Sequence, residues 1–250
     1  MHFVLKNINR CDIIYTERGG VDMPLFKSII KNENYSIGCT GQTVWVWDKN
    51  DTVIAKFKDL KYAYRALISP RGDSFIVRSN EGLLAVYSLK NFSLIKKFRF
   101  SKEEESGDYG CCFSQDGKYF LNIEYYKSCW NATLAIYDTA DFSLVSRIIM
   151  GERMHLSEMQ IVDGECFVLG YTRGEDRVRD CYFIAKFRDN KLRDAVKISE
   201  SDYWFHIENI SQTVFGDKLS HRGFPKYTPG KLWACYFEKG ENAKLFEIYP

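Results

Sequence analysis

A repeated pattern of short strands is the feature of this sequence that most restricts its fold. The stretch VWVWDKNDTVIAKF at residues 44–57 has two counterparts, LLAVYSLKNFSLIKKF at 83–98 and TLAIYDTADFSLVSRI at 133–148. In each, an alternating apolar run ends at an aromatic residue, a polar turn follows, and a second alternating run begins. The equivalent aromatic residues are Trp47, Tyr87 and Tyr137. The pattern therefore predicts one pair of β-strands that recurs along the chain.

The residue that follows each aromatic is predicted to shape the turn. Asp48 and Asp138 are acidic, whereas Ser88 stands at the same position in the second stretch. The side chains of Asp and Ser both accept hydrogen bonds from the backbone two residues further on. We therefore expect Asp48 to form a turn and Trp47 to be a packing position.

A hairpin with a glycine in its turn accompanies these strand pairs. The clearest examples are ALISPRGDSFIV at residues 66–77 and CCFSQDGKYFLNI at residues 111–123. The signature returns in QIVDGECFVLG (160–170) and KYTPGKLWACYF (226–237). Glycine adopts positive φ without steric penalty, so we expect it at that position of each turn. The turn glycines are Gly72, Gly117, Gly164 and Gly230.

The first hairpin is a variant of this pattern. SIIKNENYSIGC, at residues 28–39, carries no glycine in its turn. Asparagine is one of the few other residues that visit the left-handed region. We therefore expect Asn32 or Asn34 to take the left-handed position.

Joined together, the two patterns form a unit of four short strands. The unit occurs five times, over approximately residues 24–58, 62–100, 108–150, 157–199 and 201–250. The last unit has three strands, and HFVLKNI at residues 2–8 matches the pattern of the missing outer strand. Such a strand would close a ring and remove exposed sheet edges. A six-unit ring is the alternative if residues 12–16 and 203–215 form extra strands.

Four-stranded units whose third strand ends in an aromatic-Asp pair resemble the WD-repeat class of β-propeller. Trp47-Asp48 carries the dipeptide literally, and Tyr137-Asp138 is a variant. The resemblance covers nearly the whole chain. It implies an all-β β-propeller of about five four-stranded blades, a single domain over residues 1–250 closed by the N-terminal strand. The Gly-His pair of that family is absent, so we expect aromatic packing to replace the polar network that depends on it.

Charge and composition exclude several classes of partner. The 35 basic and 33 acidic residues give a formal net charge of +2, so no overall field draws the chain to nucleic acid or to an anionic membrane. No secretory signal is recognisable, and no apolar run reaches the roughly 20 residues that span a bilayer. We expect a monomeric, cytoplasmic protein whose eight scattered cysteines are reduced thiols.

No catalytic motif is recognisable. The chain lacks the G-x-S-x-G, P-loop and G-x-G-x-x-G patterns, and its four histidines have no metal-ligand spacing. Adjacent Cys111 and Cys112 are expected to pack on opposite faces of an inner strand. An alternative hypothesis is a small-ligand or carbohydrate-processing site in the central channel, with Asp108 and Glu158 as paired carboxylates. Otherwise we predict no catalytic residue, no metal and no cofactor.

Three long loops carry the candidate binding residues. They span residues 101–110, 127–132 and 171–180, and the resemblance to propellers implies that all three lie on one face. Trp and Arg are over-represented in binding hot spots. The candidate residues are Trp130, Arg173, Arg177 and Arg179, with the acidic run Glu103, Glu104 and Glu105. We therefore predict a non-enzymatic protein–protein interaction scaffold that presents blade loops to a partner protein.

The segment from residue 201 to 227 interrupts the repeat. It retains Trp204, Phe205, Phe215 and Phe224, so it must bury apolar surface. One hypothesis is that it covers a channel opening or forms an extra hairpin. The other is that it binds a partner or caps a ligand.

Overall fold

The described part of the chain is built almost entirely of β-strands. This computed structural model describes residues 28–100, 110–125, 132–150, 153–162, 165–174, 179–189, 191–204, 233–236 and 244–247. They form four four-stranded sheets and one two-stranded sheet, with one helical turn at residues 200–204. Over these ranges, no helix is long and apolar enough to cross a membrane. The chain divides into two compact units, residues 1–102 with 214–216 and residues 103–213 with 217–250.

Two sheets belong to the first unit. The first sheet comprises β1 (Ser28–Lys31), β2 (Tyr35–Cys39), β3 (Val44–Asp48) and β4 (Val53–Phe57). The second comprises β5 (Ala63–Ile68), β6 (Ser74–Ser79), β7 (Leu83–Ser88) and β8 (Leu94–Arg99). In each sheet the strands pair in chain order as antiparallel neighbours. This is the four-stranded unit that the repeat predicts.

Apolar side chains from both sheets form the core of the first unit. The buried cluster includes Ile37 and Val46 from the first sheet, and Phe75 and Tyr87 from the second. The ring centroid of Tyr87 lies 5.0 Å from that of Phe75 and 4.3 Å from that of Phe57. The third strands β3 and β7 are mostly buried, whereas the outer strands β4 and β8 are mostly exposed. Aromatic packing therefore links the two sheets, as the sequence predicts.

The second unit contains the other two four-stranded sheets and a hairpin. The third sheet comprises β9 (Cys111–Phe113), β10 (Tyr119–Tyr125), β11 (Ala132–Asp138) and β12 (Leu144–Ile149). The fourth comprises β13 (Met154–Val162), β14 (Glu165–Arg173), β15 (Arg179–Arg188) and β16 (Lys191–Ile198). The hairpin pairs β17 (Trp233–Tyr236) with β18 (Lys244–Glu247). All of these pairings are antiparallel as well.

Side chains of the third and fourth sheets share a second core cluster. It contains Leu121 and Leu134 from the third sheet, and Val168 and Phe183 from the fourth. The opposite face of the fourth sheet packs in a separate cluster that includes Tyr171. The fourth sheet therefore buries apolar residues on both faces, as an internal blade of a stacked array does.

The adjacent cysteines of β9 are packed against the protein core. Cys111 is buried, and Cys112 packs against the core cluster that contains Cys166. A hydrogen bond with Cys166, followed by burial, raises the pKa of Cys112 well above its usual value. Cys111, Cys112 and Cys166 are free thiols, and so are Cys39 and Cys181. The prediction that Cys111 and Cys112 are packing residues is confirmed.

The turn after each strand-end aromatic is closed by the same hydrogen bond in three sheets. A side-chain oxygen of the residue after the aromatic accepts a bond from the backbone N–H group two residues later. The bonds run from Asn50 to Asp48 (2.9 Å), from Lys90 to Ser88 (3.1 Å) and from Ala140 to Asp138 (2.8 Å). The prediction that Asp48 forms a turn, and that serine serves in its place, is confirmed.

A β-bulge precedes each of these turns at the same place. The register shifts between Val46 and Trp47, Val86 and Tyr87, and Ile136 and Tyr137. Within the turns, the residues with positive φ are Asp51 (60°), Phe92 (51°) and Phe142 (54°). Phenylalanine rarely adopts this conformation, but Phe142 is buried, and the ring of Phe92 lies edge-on to Tyr35 at 5.9 Å. Side-chain packing therefore offsets the local strain.

Glycine supports the hairpin turns in two described cases, and asparagine acts differently. Gly72 and Gly117 have φ of 69° and 68°, as predicted. The prediction for the first hairpin is wrong, because neither Asn32 nor Asn34 is among the described residues with positive φ. Oδ1 of Asn32 instead accepts hydrogen bonds from the N–H groups of Asn34 and Tyr35, at 3.0 and 2.8 Å. This Asx turn closes the hairpin without a left-handed residue.

Replacing Asp48 by alanine is expected to lower the free energy of unfolding by about 1 kcal/mol, because the N–H groups that it binds lose their acceptor. Asp48→Ser should recover most of this loss, since Ser88 makes the same bond in the second sheet. Urea denaturation of both variants measures the difference. Equal losses for alanine and serine would contradict the turn assignment.

The remaining fold predictions have mixed outcomes. The all-β prediction with four-stranded antiparallel units is confirmed. β13 begins at Met154, before the predicted unit boundary at residue 157. An extra strand that starts at Tyr203 is wrong, because that residue lies in the helical turn. The other segments at issue lie outside the described residues: 2–8, 12–16, 205–227, Gly164 and Gly230. Ring closure, blade count and the single-domain boundaries therefore stay predictions.

Candidate functional site

Two arginines face each other across the ends of neighbouring strands in the second unit. Arg173 ends β14 and Arg179 begins β15, and the two residues are paired in the sheet register. Directly paired residues of antiparallel strands project from the same face, with Cβ atoms about 4.5–5.5 Å apart. Both residues are half-buried. The register therefore brings two guanidinium groups to one edge of the fourth sheet.

The ring of Tyr171 packs against both guanidinium groups. The guanidinium carbon of Arg179 lies 4.8 Å from the ring centroid, and that of Arg173 lies 5.7 Å from it. Nη2 of Arg173 also donates a hydrogen bond to the Tyr171 hydroxyl oxygen at 3.2 Å. Tyr171 is buried, and cation–π contacts of this kind contribute about 0.5–1 kcal/mol each. A fixed aromatic ring therefore positions the two positive charges.

A helical turn after β16 lies against the same edge of the sheet. Oγ of Ser199 accepts a hydrogen bond from the N–H of Asp202 at 3.0 Å, and Oδ2 of Asp202 accepts one from the N–H of Ser199 at 3.3 Å. This reciprocal pair is a capping box, which stabilises the first turn of a helix. The hydroxyl oxygen of Tyr203 then lies 2.5 Å from Oγ of Ser157 on β13. The turn is therefore anchored to the inner strand of the sheet.

Trp204 follows Tyr203 on this turn and packs against a second side of the Arg179 guanidinium. Its ring lies 5.2 Å from the guanidinium carbon of Arg179. Arg179 thus contacts two aromatic rings, those of Tyr171 and Trp204. Five residues form a chain of neighbouring rings with centroids 4.5 to 6.1 Å apart. They are His155, Tyr171, Tyr182, Tyr203 and Trp204, which we call the aromatic cluster.

Glu200 places a carboxylate beside the aromatic cluster. Its Oε1 accepts hydrogen bonds from the hydroxyl group of Tyr182 at 2.9 Å and from Nε1 of Trp204 at 3.4 Å. The bond from Tyr182, then that from Trp204 and the charge of Arg179, lower the pKa of the carboxyl. Glu200 is therefore ionised at neutral pH, with one oxygen occupied by aromatic donors.

His155 on β13 lies against the opposite end of the aromatic cluster. Its ring centroid is 4.5 Å from that of Tyr171 in a stacked arrangement, and 4.9 Å from that of Tyr125. Burial lowers the pKa of His155 from 6.5 to about 4, and the positive charges of Arg173 and Arg179 add to the effect. His155 is therefore neutral at pH 7.

This depressed pKa predicts a loss of stability in mild acid. In the unfolded chain His155 takes up a proton near pH 6.5, whereas in the folded chain it does so only near pH 4. As the pH falls between these values, the unfolded state binds more protons and the free energy of unfolding decreases, on the order of 3 kcal/mol in total. His155→Phe should remove that contribution. Denaturation at pH 7 and pH 4 compares the two proteins, and an unchanged difference in the variant would contradict the assignment.

Anionic oxygen groups are the chemical partners that this edge suits. Of the acidic residues that the structure describes, none forms an ion pair with Arg173 or Arg179. Each guanidinium presents a planar fork of N–H donors that matches a carboxylate or phosphate group. Two such forks lie on one face, on a buried aromatic base. The arrangement makes this edge a candidate binding site for negatively charged groups.

The structure places two of the candidate residues predicted from sequence. Arg173 and Arg179 come together, but on strand ends rather than in the predicted loop of residues 171–180, because β14 and β15 extend into that range. The other candidates lie outside the described residues: Trp130, Arg177, Glu103, Glu104 and Glu105. Their place on a common binding face stays a prediction.

Only one of the two carboxylates in the alternative hypothesis is among the described residues. Asp108 lies outside the described residues. Glu158 lies on β13 with 2% of its surface exposed, and a Cβ at Gly110 would come within 2.6 Å of its Oε2. The backbone at Gly110, just before β9, therefore covers this carboxylate closely. Throughout the described ranges, no three residues among His, Cys, Asp and Glu come together as metal ligands.

A buried polar network in the third sheet was not expected from the sequence. Glu124 on β10 is fully buried, and its Oε1 accepts hydrogen bonds from the hydroxyl group of Tyr137 at 2.6 Å and from Nδ2 of Asn122 at 3.2 Å. Nη2 of Arg147 on β12 forms an ion pair with its Oε2 at 3.2 Å. The expectation that aromatic packing alone replaces a polar network is wrong for this sheet. Here the strand-end aromatic itself joins the network through its hydroxyl group.

Sequence reasoning missed the aromatic cluster because its members come from four separate segments. His155 has no metal-ligand spacing in the sequence, and Glu200 and Trp204 lie in a stretch with no strand pattern. One signal was present: Tyr171 and Arg173 are two residues apart, a spacing that puts them on one face of a strand. The pairing of β14 with β15 and the capped turn bring in the rest.

Comparisons with known proteins support the fold only. The chain is similar to hydrazine synthase of Kuenenia stuttgartiensis, with a TM-score of 0.58 and 15% identity over 70% of this chain and 54% of that chain. It is also similar to the WD40 domain of Toxoplasma gondii coronin, with a TM-score of 0.52 and 18% identity over 70% of this chain and 46% of that chain. The chain thus spans about half the length of these structures. Its four-stranded antiparallel sheets are consistent with a propeller fold. No protein-family model and no curated protein sequence matches it.

Proposed function

We propose that this protein is a non-enzymatic interaction module that binds a partner protein through the face carrying Arg173 and Arg179. The single observation that carries the proposal is the pair of guanidinium groups fixed on the ring of Tyr171. Arginine and aromatic residues dominate the binding energy of protein interfaces. A charged pair on a rigid base costs little conformational entropy when it binds, because its members are already positioned.

The proposed scaffold is a five-bladed propeller closed by residues 2–8. Four four-stranded sheets and a further two-stranded hairpin support this count, and the likeness to a WD40 domain supports the propeller class. In this arrangement residues 2–8 add the outer strand of the last blade. Hydrogen exchange tests the proposal, since slow exchange of backbone amides in residues 2–8 is expected only if the segment is paired in a sheet.

The combined variant Trp130→Ala, Arg173→Ala and Arg179→Ala is expected to lose the partner protein in affinity capture from a cell lysate. The reason is that these side chains supply the proposed hot spot, whereas the core clusters are untouched. Capture is measured with the immobilised protein and mass spectrometry, and the melting temperature by circular dichroism.

Arg193→Ala is the matched control for this experiment. Arg193 is an exposed arginine on β16 of the same unit, and its removal changes the net charge without altering the proposed face. We expect the control to retain the partner. Unchanged capture by the triple variant, or equal loss in the control, would show that another surface binds the partner.

A further inference from the structure

We propose that Arg173 and Arg179 bind a phosphorylated serine or threonine side chain of a partner polypeptide. This inference rests on the proposed function, because it names the chemical group that the interaction face recognises. Three features of the site support the inference: the common face of the two arginines, their charge environment, and the aromatic surface beside them.

The two arginines can bind one phosphate group together. They are paired across β14 and β15 and lie on the same face of the sheet, and both contact the ring of Tyr171. Arg173 uses one N–H to bind the hydroxyl oxygen of that ring. A guanidinium has five N–H donors. Nε of Arg173 is buried, and Arg179 forms hydrogen bonds with the hydroxyl groups of Tyr182 and Tyr171, so only the remaining donors of each arginine can bind a ligand. A phosphate has three terminal oxygens that accept bonds from more than one guanidinium.

Charge favours a phosphate over a single carboxylate. The two guanidinium groups carry two positive charges, and a phosphoserine carries about −1.5 to −2 at pH 7. One carboxylate would neutralise only half of that charge. Glu200, a described carboxylate beside the aromatic cluster, offsets part of the charge of Arg179, but the hydrogen bonds that it accepts come from Tyr182 and Trp204. A group with several anionic oxygens, which can bind both guanidinium groups at once, is therefore the better match for the site.

The surroundings favour a polypeptide over a free anion. Trp204 is half-buried and flanks Arg179, so an apolar ring surface lies directly beside the proposed phosphate position. A side chain next to a phosphorylated residue would pack on this surface, whereas inorganic phosphate would gain nothing from it. We therefore expect peptide context to strengthen binding.

His155 provides an internal reporter of the bound charge. The charged or titratable groups that face it are Tyr125 on β10, Tyr171 and Arg173 on β14, and Arg179 on β15. The two arginines help to hold its pKa near 4. A bound dianion would offset their charge, so the pKa of His155 should rise on binding. A mutation that only loosened the fold would not produce this ligand-dependent shift.

The test uses the full chain and a degenerate peptide library with one fixed phosphoserine or phosphothreonine. Matched libraries carry unmodified Ser or Thr, or Asp and Glu, at the fixed position, and inorganic phosphate serves as a separate probe. Fluorescence anisotropy measures binding, and NMR follows the imidazole of His155. We expect binding to the phosphorylated library alone, with Arg173→Gln and Arg179→Gln each weakening it roughly 10- to 100-fold.

Two further variants make the result specific. Arg179→Lys keeps the charge but loses the planar fork, so it should weaken binding about tenfold. Arg193→Gln, an exposed arginine of the same sheet, should leave binding unchanged. Melting temperatures confirm that each variant is folded. No binding, equal binding to the unmodified or acidic library, equal affinity for inorganic phosphate, or equal loss in Arg193→Gln would each overturn the inference.

Phosphatase treatment of the lysate separates this inference from the proposed function. If the partner captured through Arg173 and Arg179 is lost after phosphatase treatment, the inference is supported. If the partner is still captured, the phosphate inference is wrong and the interaction module stands. If no captured protein depends on the arginine face in either lysate, the proposed function itself is wrong.

Discussion

Replacing Trp47 by alanine is expected to lower the free energy of unfolding by about 3–5 kcal/mol. The ring is 8% exposed and stacks on Trp45 with centroids 6.0 Å apart, so its loss leaves a cavity at the end of β3. Trp47→Tyr should cost much less, because Tyr87 and Tyr137 occupy the equivalent position and are buried in the other sheets. Urea denaturation measures both variants.

Val53→Ala is the control for this prediction. Val53 is the register partner of Trp47 on β4, but it is 41% exposed, so its truncation should cost less than about 1 kcal/mol. An alanine variant of Trp47 as stable as the wild type would show that the strand-end aromatics are not structural equivalents. The repeat would then lose its physical basis.

Replacing Arg147 by methionine is expected to lower the free energy of unfolding by about 2–4 kcal/mol, less than for a fully buried ion pair, because the side chain of Arg147 is 36% exposed. Methionine keeps the length of the side chain but removes the cation, and the carboxylate of Glu124 is fully buried. An uncompensated charge would then remain inside the third sheet. The hydrogen bonds from Tyr137 and Asn122 satisfy the other carboxylate oxygen but supply no positive charge.

A double-mutant cycle with Glu124→Gln tests this explanation. Glutamine is neutral, so Arg147→Met should cost clearly less in the Glu124→Gln background. Arg193→Met, on the exposed outer strand β16, serves as the control for losing an arginine. If Arg147→Met costs the same in both backgrounds, the ion pair is not the source of the stability.

The repeat was predictable from sequence because its signals are local. An aromatic residue, a following Asp or Ser, and a second apolar run occur within one stretch of the chain, and the turn bonds connect residues only two positions apart. The same local chemistry led to a wrong prediction at Asn32, because the residue type alone fits both an Asx turn and a left-handed asparagine. Only the backbone φ angle distinguishes these two conformations.

The candidate site was only partly predictable because it depends on pairing between distant segments. The arginine-rich stretch near Arg173 was visible, but the pairing of Arg173 with Arg179 depends on a register shift between Thr172 and Arg173. The contact of Trp204 with Arg179 requires a capped turn that has no strand pattern. The ion pair of Arg147 with Glu124 likewise joins an outer strand to an interior one.

The β-bulge that three sheets share determines which parts of the chain can be exchanged for one another. Because the register shifts at the same point in three sheets, the paired outer strands are geometrically interchangeable parts. Residues 83–98 and 133–148 have the same length and the same turn chemistry, so one stretch should be transplantable into the place of the other. The exchanged variant is expected to fold, because the β-bulge and the turn bond are the same in both stretches.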